Sequence, residues 1–261
     1  MGVRDIAAGA LRVISGRWEV FLLLVALGAV LGTLISLPLE AEIMAMQSAA
    51  EVQDEQALMA AFRSLFPDLL IFVPLKIALY LLLPVLWVRF VRLGGGAAVL
   101  SGLVPALWRS FVLLLGVLVI FLALLLGLVL LMAILSLLGL GAQQQRMLVG
   151  LAVIAAMIPL EIAVARGLAS TALGRPMSAI EGFVRLRGSR TGMALFLIGV
   201  FLLAIVIALP MTIVFADSGE VPLVISLAME ALNHAIWLLL VSAAIPFAIG
   251  DESGESAPPS D

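Results

Sequence analysis

Six apolar runs, each about as long as a bilayer is thick, alternate with short polar segments along the chain. They are Trp18–Leu37, Leu69–Phe90, Phe111–Leu140, Met147–Ala165, Met193–Ala216 and Val221–Ile249. A helix that crosses the hydrocarbon needs about 20 mostly apolar residues, so each run predicts one membrane-spanning helix. The third and sixth runs are long and are expected to tilt or to project past the hydrocarbon. The first has too long an apolar core for a signal peptide, and no small-x-small cleavage site follows near Pro38. It reads as an uncleaved anchor. The expected fold class is an all-α integral membrane protein with six transmembrane helices.

Composition requires the same class. The chain is 64% hydrophobic and 12% charged, with a mean hydropathy of +1.27. A soluble fold of this length keeps much of its surface in water and has nowhere to hide so much apolar area. There is no cysteine, which excludes disulfides and thiol chemistry. The net charge of −3 and the lack of a basic tract speak against a nucleic-acid partner.

The placement of the cations predicts orientation. Arg4, Arg12, Arg17, Arg89, Arg92, Arg109, Arg166, Arg175, Arg185, Arg187 and Arg190 flank the runs on one face, against Arg63 and Arg146 on the other. Positive residues stay in the cytoplasm, so both termini are expected there and segment 38–68 is expected outside. That segment is acidic. Ser48 followed by Glu51 has the form of a capping box, which predicts a helix starting there and ending at Pro67. The acidic, proline-bearing residues 251–261 read as a disordered tail.

A threefold repeat is visible in the segments before the odd-numbered runs. Gly9 and Arg17, Gly102 and Arg109, and Gly182 and Arg190 recur at spacings of seven or eight, each pair leading into a span. The even-numbered runs carry Pro84, Pro159 and Pro246 before their cytoplasmic ends. The units are about 1–90, 91–165 and 166–250, each a cytoplasmic segment followed by a helical hairpin. In the first segment Ile6, Ala10, Val13 and Ile14 oppose Asp5, Arg12 and Ser15. In the third, from Pro176 to Arg187, Met177, Ile180, Phe183 and Val184 oppose Ser178, Glu181 and Arg185, with Glu181 and Arg185 spaced as a helical ion pair. Such helices lie in the membrane interface, apolar side down. Arg12, Arg17, Arg109, Arg185, Arg187 and Arg190 are then placed to meet anionic head groups. Pro105 interrupts the middle segment.

The stretch from Ser178 through Ala179, Phe183, Leu186, Arg187, Gly188 and Arg190 into a span, with a last span closing on IPFAIG, resembles a broad group of bacterial membrane proteins. The group includes the six-span YciC-type proteins and the membrane domain of some glycerophosphoryl diester phosphodiesterases. The likeness covers mainly residues 166–250. It implies a six-span protein of the bacterial inner membrane and carries over no catalytic residue.

Ionisable groups inside spans are costly and draw attention to function. Glu19 and Arg89 sit at span edges, within reach of head groups. Glu161, near Arg166, is expected to pair with it or to snorkel. Lys76, Glu230, Asn233 and His234 form an expected polar cluster. Lys76 is the eighth residue of its span and Glu230 the tenth of a span running the same way, so their depths agree to within about 3 Å and they are expected to pair. Neither a metal-binding set nor any catalytic constellation is present in the sequence, and no cofactor is expected. Three readings of function follow. One is a non-enzymatic protein that binds membrane lipids or scaffolds a membrane protein partner. The second is a small transporter or ion-coupled permease built around Lys76 and Glu230. The third is an anchor subunit for a separately encoded enzyme.

Overall fold

Apolar runs fold as long helices in lipid because each backbone amide must find its partner within the segment. The computed structural model describes residues 2–51, 55–137, 139, 141–186, 188–215 and 223–254. Among them are nine helices and no strand: α1 (Val3–Ser15), α2 (Trp18–Glu51), α3 (Glu55–Leu93), α4 (Ala97–Leu100), α5 (Leu103–Leu137), α6 (Ala142–Ala172), α7 (Ala179–Arg185), α8 (Arg190–Phe215) and α9 (Leu223–Gly254). Six are long and apolar enough to cross a membrane: α2, α3, α5, α6, α8 and α9.

The packing is concentric. α3, α6 and α9 touch one another and form the middle of the bundle. Outside them, α2 packs against α3 and α9, α5 against α6 and α3, and α8 against α9 and α6. The short helices follow the same rule, with α4 on α3, α7 on α6 and α1 on α9. The outward faces stay apolar, as with Leu22, Leu23, Leu126 and Val206, which fits lipid as their solvent.

Several local expectations are corrected. No separate helix starts at Ser48 or ends at Pro67, because α2 runs on through Pro38 to Glu51 and α3 passes through Pro67. A capping residue serves only amides at a helix start, and here the helix is already under way. At 34 and 39 residues these helices are roughly 50–60 Å long, well beyond the hydrocarbon. The middle segment, expected to be cytoplasmic, reduces to the single turn of α4. Gly102, at φ +72°, then turns the chain, and Pro105 falls in the first turn of α5, where its missing N–H costs nothing. α7 starts at Ala179 rather than Pro176, because the Ser178 hydroxyl caps the Glu181 amide at 3.2 Å. α9 extends to Gly254, inside the stretch expected as a tail.

The interfacial helices also differ from expectation in what they cover. The apolar face of α1 meets protein rather than lipid: Ile6 and Ala10 are buried, and Val13 and Ile14 pack on the same core. α7 divides its apolar residues. Ala179 and Gly182 are buried on the side that meets α6, while Ile180 and Val184 remain exposed. Arg185 pairs with Glu181 at 2.7 Å, as the spacing predicts.

Arg89 does not reach for head groups. It is buried, and its guanidinium donates to the carbonyls of Val99 (2.7 Å), Ala98 (3.3 Å), Ser101 and Ala172 (3.0 Å). These carbonyls lie at the C-terminal ends of α4 and α6, where no helical amide remains to bond them. A cation there also suits the negative end of the helix dipole. Replacing Arg89 by Leu should cost roughly 3 kcal/mol or more, since bonds from a charged donor are worth about 1.5–3 kcal/mol each. Thermal melting followed by size-exclusion chromatography in detergent should show a clear drop. Arg89→Lys should recover little, because an ammonium cannot span four carbonyls; an unchanged melting temperature for either variant would count against this role.

Candidate functional site

Three helices meet around one carboxylate. α2 presents Gly28, Gly32 and Ser36, α3 presents Lys76 and Tyr80, and α9 presents Glu230, Asn233 and His234. Within each helix the spacing is three or four, so each set lines one face. Lys76 Nζ lies 2.6 Å from Glu230 Oε1 and also donates to Ser36 Oγ at 2.6 Å. Ser36 donates in turn to Glu230 Oε1 at 3.3 Å. The second carboxylate oxygen, Oε2, accepts from the Tyr80 hydroxyl at 3.5 Å. Asn233 Nδ2 donates to Tyr80 Oη at 3.0 Å. The four residues expected from the sequence as a cluster are thus brought together.

His234 is sealed inside this network, 1% exposed, with its ring stacked on Tyr80 at 4.7 Å between centroids. The imidazole hydrogen-bonds the backbone of Gly28. Its Nε2 stops 3.7 Å from Glu230 Oε2, outside hydrogen-bond range.

The sequence reading missed Gly28, Gly32, Ser36 and Tyr80. A Cβ on Gly28 would come within 2.6 Å of the His234 ring, and one on Gly32 within 2.7 Å of Glu230 Oε2. Only glycine lets α2 come this close to the polar face of α9. The signal was available in the sequence as a G-x-x-x-G pair, a spacing that membrane helices use for close contact.

Pro84 has a local role in the same place. It cannot donate to the carbonyl of Tyr80 four residues back. That carbonyl instead accepts Trp237 Nε1–H at 3.1 Å, which ties α9 to α3 just below the ion pair. A proline in mid-span thereby frees an acceptor for a neighbouring helix.

Lys76, Tyr80 and Asn233 also line a cavity of about 650 Å³ between α3, α5, α6, α8 and α9. Its other walls are apolar except for Glu161. Glu161 neither pairs with Arg166 nor forms any other hydrogen bond or ion pair among the described residues, and Arg166 itself is buried. A second cavity of about 400 Å³, between α8 and α9, is lined by Glu230 and shares Asn233 with the first.

The arginines expected at the interface gather at one end of the bundle but are not equivalent. Arg12, Arg17 and Arg185 are exposed. The Arg17 guanidinium reaches within 3.8 Å of where a side chain on Gly94 would begin, and Arg109 within 3.6 Å of the corresponding point on Gly174. Arg190 donates to the carbonyls of Phe183 and Val184, both at 3.0 Å, and stacks over the Phe183 ring at 4.4 Å. It caps α7 and is already occupied. Arg187 lies outside the described residues. No group of residues suited to a metal ion occurs among the described residues. Comparison of the chain with known protein families, curated proteins and solved structures found no match.

The pairing of Lys76 with Glu230 gives a direct test. Lys76→Met leaves a carboxyl in the bundle without its cation and should cost about 3–5 kcal/mol, read as a lower melting temperature in detergent. Lys76→Met combined with Glu230→Gln should lose clearly less than the sum of the two single changes. Strict additivity in that cycle would show that the charges do not stabilise one another.

Proposed function

We propose that the protein is a non-enzymatic multi-pass protein of the bacterial inner membrane that binds anionic lipid head groups at its arginine-rich end. The observation that carries the reading is the gathering of Arg12, Arg17, Arg109 and Arg185 at the end where the long helices leave the apolar zone. Guanidinium forks match phosphate oxygens, and juxtamembrane cations are attracted to anionic leaflets. The exposed Ile180 and Val184 of α7 support the reading by giving this end an apolar foothold beside Arg185.

In this reading the arginine-rich end and both termini are cytoplasmic, and the chain is three copies of one unit. The cyclic order of contacts supports the repeat, since each short helix leans on the last helix of the preceding unit and α1 closes the ring on α9. The resemblance to six-span bacterial membrane proteins agrees with this arrangement but adds no ligand.

Two measurements test the proposal. Native mass spectrometry of protein purified in mild detergent should show retained phosphatidylglycerol or cardiolipin. Substituting Arg12, Arg17 and Arg185 together by Gln should strip most of it while leaving the melting temperature nearly unchanged, because none of the three is buried. Equal lipid retention by wild type and variant would sink the head-group role. For sidedness, Ser15→Cys should resist an impermeant thiol reagent added to intact cells, and Ser64→Cys should react with it. The reverse pattern would overturn the orientation.

A further inference from the structure

Charge bookkeeping in the 650 Å³ cavity leaves one group over. Lys76 is compensated by Glu230 at 2.6 Å, and Tyr80 and Asn233 are hydrogen-bonded to each other at 3.0 Å. Glu161, on the α6 wall, has no hydrogen-bond or ion-pair partner among the described residues. A carboxyl group among apolar side chains is costly as an anion unless it meets a counter-charge, and otherwise holds a proton, so a bound cation would favour its charged form. The walls of the same cavity carry the aromatic rings of Tyr80, Phe111, Phe121 and Trp237. Ring faces attract cations, and more strongly where water is excluded. The volume falls within the range of about 300–1,000 Å³ that small-molecule sites occupy.

We propose that this cavity binds a hydrophobic organic cation of drug-like size, with Glu161 as its counter-ion and the aromatic rings as its cage. An acyl chain could fill the apolar space but would leave the carboxylate unanswered. A hydrophobic anion would meet Glu161 with no compensating cation, because the charge of Lys76 is already spent on Glu230. The site is separate from the head-group end and stands or falls independently of it.

The test uses two ions of the same shape and opposite charge. Equilibrium dialysis of the full-length protein in detergent should show saturable binding of about one tetraphenylphosphonium per chain, with no comparable binding of tetraphenylborate. Glu161→Gln keeps the size of the side chain and removes its charge. It should weaken tetraphenylphosphonium binding at least tenfold, with any quenching of the total tryptophan fluorescence by the cation reduced in parallel. Three results would each overturn the proposal: no saturable cation binding by the wild type, equal binding of the two ions by the wild type, or undiminished cation binding by the Gln variant. The comparison of ions on the wild type needs no variant, so it decides the matter even if Glu161→Gln fails to fold.

Discussion

The ion pair between Lys76 and Glu230 constrains everything near it. Two opposite charges 2.6 Å apart in a low-dielectric bundle bind strongly, but each was costly to bring there. That cost is recovered only if the remaining lone pairs and protons are also satisfied, and the surrounding residues meet this requirement. Ser36 accepts a hydrogen bond from Lys76, Tyr80 donates to the far carboxylate oxygen, and Asn233 donates to Tyr80. Because these groups come from three helices, satisfying one carboxylate fixes how α2, α3 and α9 approach one another. Gly28 and Gly32 are the steric counterpart of this constraint, since any side chain there would force the helices apart.

The same accounting of polar groups explains features that look unfavourable singly. Prolines inside spans break backbone hydrogen bonds, yet Pro84 frees a carbonyl that Trp237 then uses to join α9 to α3. The terminal carbonyls of α4 and α6 would be orphaned in a dry bundle, and Arg89 collects them. Trp87 likewise reaches across to Ser242, which is back-bonded to the Leu238 carbonyl. In water such groups would simply be solvated. In lipid they must be paired inside the protein, and these pairings hold the bundle together where apolar packing gives helices little preference for each other over lipid.

Polar groups are handled differently at the end of the bundle and in its interior. At one end of the bundle Arg12, Arg17 and Arg185 are exposed, where solvation makes their charge inexpensive. In the interior the charges of Lys76 and Glu230 answer one another, and the hydrogen bonds from Ser36 and Tyr80 make the pair a structural clamp. Glu161 departs from this pattern, since it faces an aromatic cavity with nothing to answer its charge.

How much of this was legible in the chain depends on the range of the interaction concerned. Six spans could be read directly, because hydropathy over about 20 residues is a local property and lipid enforces it on each segment separately. The meeting of Lys76 with Glu230 was also readable, because depth is counted along a straight helix and a buried charge must find a partner. Helix ends were less legible. The expected breaks at Ser48 and Pro67 failed because a helix projecting from the membrane continues until something stops it. The fates of Arg89, Arg190 and Glu161 could not be read at all. Their spacing along the chain matches that of residues that meet head groups or pair locally. Which carbonyls, rings or cavity each one faces depends on how neighbouring helices are rotated. Rotation is set by close contacts such as Gly28 against His234 and Gly32 against Glu230, between residues some two hundred positions apart. Local pattern therefore decided that the chain forms six helices long and apolar enough to cross a membrane, and tertiary packing alone decided which of its charges are paired inside the bundle and which are not.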